Sequence, residues 1–203
     1  MNKREVIVDC DFLSDLLKNT STDFFKQMMD ELGVSPVVHS YVADVELEYC
    51  KEAQELIKAG YIRKVEYAEY LKNEAQKEQY NQSVWHILDI INDDELPPKQ
   101  FQNVFQERFS YKKHSIGEVL SELMAKELKL ELFASNDFGA KTVAKRHINS
   151  TRYELKVRNL AELLKEIGQR ENTLKWKDIK DALRDTRWKS EKEKLRDLWV
   201  KEN

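Results

Sequence analysis

At 203 residues and 41% apolar content, the chain can bury a real core, and it suits one domain with an appendage better than two full domains. Charged residues make up 35% of it against 5 Gly and 3 Pro, which points to a helix-rich protein with short loops and no repeats or low-complexity stretches. No run approaches the length of a membrane span, and the N-terminal residues hold no long apolar stretch before a cleavage site, so neither a membrane protein nor a secretory signal is expected. Cys10 and Cys50 have neither disulfide nor zinc spacing and read as thiols of a reducing cytoplasm.

The first strand is expected over 5–9, a β-branched run that ends in Asp9. Ser21 or Thr22 then caps a helix to about Leu32, and Gly33 stops it. A second strand is expected over 34–38, a helix over 40–59 with Gly60 as its stop, and a weaker strand signal over 61–67. Residues 68–92 read as a very polar helix that Pro97 and Pro98 close, with a further helix to Phe109. Ser115 opens a helix to about Leu128, 130–134 form a strand, and Asp137 starts a helix to about His147. A last strand covers 153–157, and Asn159 caps a helix to Ile167. Strands alternating with helices imply a parallel sheet covered on both faces.

In such sheets, sites form beyond the carboxyl ends of the strands. Asp9 and Asp11 lie at one such end, Asn136 and Asp137 at another. On an unbroken helix from Ser40, Glu46 falls on the apolar face with Val42, Val45 and Tyr49, while Asp44 and Glu48 face solvent. A buried acid needs a partner, which a metal ion supplies; the plainer alternative is an acid that borders the core and reaches water or a Lys. Glu118 has two readings as well. It fits a capping box with Ser115, or it joins the acids, with Glu122 as the neighbouring alternative.

Together these segments resemble the PIN-domain family. The opening strand ends in Asp9-Cys10-Asp11, an acid follows the next strand at Glu46, and Gly117-Glu118 leads a helix. A strand then ends in Asn136-Asp137, and Lys141 lies on the helix that follows. The third acid is Glu where the family more often has Asp, and the segment over about 67–113 is longer than in compact members. The resemblance implies a three-layer α/β/α PIN-like fold over 1–168, with a central parallel sheet and a helical insert at 67–113, followed by a basic, Trp-containing helical tail over 169–203. It implies that Asp9, Glu46, Glu118 and Asp137 bind Mg²⁺ or Mn²⁺ in a ribonuclease, with Asp11, Asn136 and Lys141 facing the RNA substrate. A homodimer is also in keeping with the family.

The rear of the chain is basic. Residues 141–203 hold 18 Lys/Arg and 11 Asp/Glu, a balance of +7, which leaves −10 on the first 140 of a chain with net charge −3. Trp176, Trp188 and Trp199 stand among these charges, where they can stack on bases, dock the tail on its own domain, or receive an antitoxin-like protein. The helical spacing and the interrupting acids favour docking. Two rival functions remain: a PIN-like scaffold that binds RNA or protein without cutting, and a haloacid-dehalogenase-like phosphatase with Asp9 as nucleophile. The second wants Thr or Val where Phe12 stands, and an acid after Asp137 that Phe138-Gly139-Ala140-Lys141 does not offer.

Overall fold

A computed structural model describes residues 3–91 and 116–199. The five strands β1 (Arg4–Val8), β2 (Val34–His39), β3 (Arg63–Val65), β4 (Leu132–Ala134) and β5 (Lys156–Arg158) form one sheet in the order β3-β2-β1-β4-β5. Every pairing is parallel, with Ile7 beside Val37 on one side and Phe133 on the other.

Alternation along the strands builds two separate cores. Val6 and Val8 point into one, Ile7 into the other. The first core is closed by α1 (Cys10–Asn19), α2 (Thr22–Leu32), α3 (Lys51–Lys58) and α8 (Leu160–Gly168). The second is closed by α4 (Tyr67–Tyr70), α5 (Glu74–Ile91), α6 (Ile116–Leu128) and α7 (Phe138–Val143). The result is a three-layer α/β/α arrangement. No helix among the described residues is long and apolar enough to cross a membrane.

Several helix signals act as the sequence reading expects. Ser21 accepts from Phe24 N–H at the start of α2, and Gly33 ends that helix at φ 67°. Asn159 and Glu162 form a full capping box on α8.

Other expectations are corrected. Asp9 is followed at once by a helix, α1, which buries Phe12, Leu13, Leu16 and Leu17, where no helix is expected before Ser21. The single helix over 40–59 is instead a π-helical turn, Val42–Glu46, a break, and then α3. The polar helix over 68–92 is divided into α4 and α5, and β5 starts three residues later than expected and ends one later. The expected helix to Phe109 and the capping residue Ser115 lie outside the described residues.

The tail packs on the first core through α9 (Trp176–Ala182) and α10 (Lys189–Trp199). Ile179, Leu183, Trp188 and Leu195 are buried there. Trp199 comes so close to Gly168 that any Cβ at that glycine would overlap its ring. The tryptophans therefore dock the tail on its own domain.

Candidate metal centre

The strand order reverses beside β1: the chain leaves β1 toward β2 and β3, then crosses over to β4 and β5. Ligands of open parallel sheets bind at such a switch point, in a crevice beyond the carboxyl ends of the strands, here those of β1 and β4. Asp9 ends β1 and Ser135 follows β4, and both are buried.

Ser135 sits at the centre of the crevice. Its Oγ lies 3.3 Å from Asp9 Oδ2 and 3.3 Å from Glu118 Oε1, and it accepts from Asp137 N–H at 3.1 Å. A hydroxyl has one proton to donate, so it satisfies only one of two ionised carboxylates. A proton held on Asp9 relieves the pair. Consistent with this, burial, then repulsion from Glu46 and Asp11, pushes the Asp9 pKa up to about 8, against hydrogen bonds from Cys10 N–H and Ser135.

Glu46 reaches this group by a different route from the one its helical position suggested. Tyr49 is 88% exposed, so the expected apolar face does not exist. Instead the π-helical turn packs against the start of α1, with Cys10 Sγ 3.7 Å from the Glu46 carbonyl. Glu46 Oε1 accepts from Gly117 N–H at 3.2 Å, and any Cβ at Gly117 would overlap the Glu46 carboxylate. Glu46 keeps an open side to solvent and so forms the rim of the crevice. The surrounding protein still thins its water, and Glu118 and Asp11 repel it; its pKa rises to about 7 despite the Gly117 hydrogen bond.

Glu118 lies on α6 with its carboxylate directed at Ser135. One turn further on, Glu122 is fully buried, and among the described residues neither of its carboxylate oxygens has a hydrogen-bond partner. Burial, then Glu118 and Asp9, raises its pKa well above the ordinary value. Residues 116–125 of α6 are buried on every side because the helix lies between the sheet and α5. The described part of the insert thus supplies the cover that keeps water from Glu118 and Glu122.

The remaining expected residues are placed as follows. Asp11 is exposed, with a pKa raised by partial burial, then by Asp15 and Asp137. Asp137 borders the group through Asp11, while its Oδ1 accepts from Gly139 N–H at 2.5 Å and so starts α7. Asn136 is committed to structure, donating to Asp15 at 3.1 Å and accepting from Leu160 N–H at 3.1 Å. Lys141 is bound by Glu162 at 2.7 Å and does not stand free to face a substrate. Its ion pair follows from the Asn159 capping box, which holds Glu162 in reach. A cation that does reach this end is Arg187, from the tail. It pairs with Asp15, lowers the Asp11 pKa and lies 5.3 Å from the Trp188 ring centroid. Arg187 had no visible signal in a stretch where Lys and Arg are common; Glu122 had one, an acid one turn beyond Glu118.

All the donors are carboxylate oxygens, the chemistry that Mg²⁺ and Mn²⁺ prefer. Burial first, and then the neighbouring carboxylates, raise the pKa values of Asp9, Glu46 and Glu122. Among the described residues, no three His, Cys, Asp or Glu side chains form a ready-made metal cage. An ion here would therefore be held directly by no more than two of these carboxylates and would keep several waters, as Mg²⁺ commonly does. No family model, no curated protein and no solved structure matches this chain.

Proposed function

We propose that the protein is a metal-dependent, PIN-like endoribonuclease that hydrolyses phosphodiester bonds of RNA. The observation that carries this reading is the buried Asp9–Ser135–Glu118 group at the switch point of the sheet, with Glu46 on its rim. Asp9 and Glu118, which share Ser135, would hold the Mg²⁺ or Mn²⁺ directly, and Glu46, Asp11 and Asp137 would reach it through its waters. Such an ion supplies an acidified water and stabilises charge developing on the phosphodiester. The chain's own part is to dispose the carboxylates, to release the protons they hold near neutral pH, and to cover the inner side with α5 and α6. Lys141 and Arg187 are the cations near this end, each held by an acid, and either would meet a substrate phosphate only by leaving that partner.

A scaffold that binds RNA without cutting is favoured by the lack of a ready-made cage and by the structural commitments of Asn136 and Lys141. Cleavage of RNA by the purified protein with Mn²⁺ separates the two. The nuclease reading expects cleavage that Asp9→Asn abolishes. Absent cleavage, or cleavage that survives the substitution, overturns it, and covalent phosphorylation of Asp9 would point to the phosphatase chemistry instead.

A further inference from the structure

A cavity of about 600 Å³ lies at the other end of the sheet from the acids, where the chain enters β4 and β5. The end of α6 and the turn before β5 form its walls. Four cations line it, Lys126, Lys129, Arg152 and Lys156, and none of them makes an ion pair among the described residues. Glu131 and Glu154 stand in the same lining, and neither pairs with a cation among the described residues. Elsewhere opposite charges close up on each other, as Arg63 does on Glu5 and Lys141 on Glu162. Here the charges are held apart around an open space, with the positive ones in excess.

Lys129 is there against the preference of its own backbone. It follows the last residue of α6 at φ 57°, and among the described residues no other non-glycine has a positive φ. Leu130 N–H donates to the Ala125 carbonyl at 2.9 Å, the closing bond of a helix end whose left-handed position glycine fills at least strain. Gly33 and Gly60 do fill such positions. The lysine adds strain, and what it supplies in return is a further cation on the cavity wall. The facing wall is rigid. Leu155 N–H donates to Asn149 Oδ1 at 2.8 Å, Ser150 N–H to the Tyr153 carbonyl at 2.8 Å, and Tyr153 Oη to the Leu130 carbonyl at 2.5 Å. Tyr153 is thus an aromatic side chain fixed in the lining, on which a flat base can lie. A concave, preformed space of this volume suits a small molecule, and unpaired Lys and Arg side chains suit its phosphates.

We propose that this cavity is a second ligand site, remote from the acids, that binds a nucleoside polyphosphate with its phosphates on Lys126, Lys129, Arg152 and Lys156 and its base on Tyr153. The site does not depend on the nuclease reading. The test is binding of mant-labelled ATP to the full chain in EDTA, which leaves the acids at the far end without metal and repelling phosphate. Saturable binding is expected, and Lys129→Gly and Arg152→Ala should each weaken it by about tenfold or more. Both side chains are exposed, so neither variant threatens the fold. Lys129→Gly should at the same time raise the Tm, because glycine relieves the backbone. Tyr153→Leu should weaken mant-ATP and leave inorganic tripolyphosphate binding unchanged. A wild type that does not bind mant-ATP overturns the proposal, and so does a Lys129→Gly variant that is more stable but binds like the wild type, which would make the lysine a surface residue only. Loss of mant-ATP in the cation variants but not in Tyr153→Leu would mean an inorganic polyphosphate site and overturns the nucleotide. Tighter binding of a mixed-sequence RNA, lost in the same variants, would make the cavity part of an RNA surface and also overturns it.

Discussion

Two groups of buried polar side chains lie in this molecule, and they are built on opposite terms. At the end of β2, His39 Nδ1 accepts from Tyr41 N–H at 3.0 Å, which leaves Nε2 to carry the proton toward Tyr70 Oη at 3.0 Å. Tyr70 donates to Tyr80 at 3.2 Å, and Tyr80 donates to the Leu120 carbonyl at 2.9 Å. Burial holds His39 neutral by lowering its pKa to about 3. At the neighbouring end of β1, two carboxylates share one hydroxyl, and Glu122 has no hydrogen-bond partner among the described residues. Burial without satisfaction is costly, and the contrast between the two places is what the proposed metal site would account for. The two groups even share α6, since Leu120 lies between Glu118 and Glu122.

The comparison can be broken most sharply at Asp9. Asp9→Asn should reduce Mn²⁺-dependent RNA cleavage by at least about a hundredfold, a loss typical of a removed charge-stabilising group, while raising the metal-free Tm. A variant that is both inactive and less stable would mean that Asp9 is structural. Gly117→Ala should come next. Its Cβ forces the Glu46 carboxylate aside, so cleavage should fall at least tenfold with the circular dichroism spectrum unchanged. Tyr80→Phe addresses the other group. It removes the donor to Leu120 and should cost about 1–3 kcal/mol in urea unfolding, with the cleavage rate per folded molecule preserved. An activity loss there as large as at Asp9 would show that the two groups act as one.

A smaller effect concerns pH. The Asp9 pKa is 3.8 ordinarily and about 8 in the fold, so between those values the unfolded chain has lost a proton that the folded chain keeps. Folding then binds protons, and metal-free stability should fall as pH rises from about 4 to about 8. Glu46, raised from 4.5 to about 7, adds in the same direction, with less weight because water reaches it on one side. Mg²⁺ should flatten the slope in thermal melts. A stability that climbs with pH through this window would contradict the account.

The backbone signals were legible wherever a residue has one job. Ser21, Gly33 and Asn159 act only as caps or stops, and the helices obey them. The parallel sheet followed from strands alternating with helices. The start of α1 was hidden because Asp9, its N-cap, makes no side-chain capping bond and serves the crevice instead. Glu46 was singled out for a reason that does not hold: the helix breaks at the π-helical turn, a feature that periodicity does not announce, and the turn rather than an apolar face brings the acid to Gly117. The pairing of Lys141 with Glu162 is not announced by any local pattern, because Glu162 is a capping residue on a distant segment. Arg187 was out of reach of any local pattern, since its place depends on how the tail docks.

The central claim is that the crevice is short of one positive charge. Calorimetric titration of the metal-free protein with Mn²⁺ at pH 6, in two buffers of different protonation enthalpy, tests it most directly. The account predicts a site lost in Asp9→Asn, and at least about one proton released per ion bound, because Asp9 and Glu46 must give up the protons they hold. Binding without proton release, or equal binding by Asp9→Asn, would contradict it.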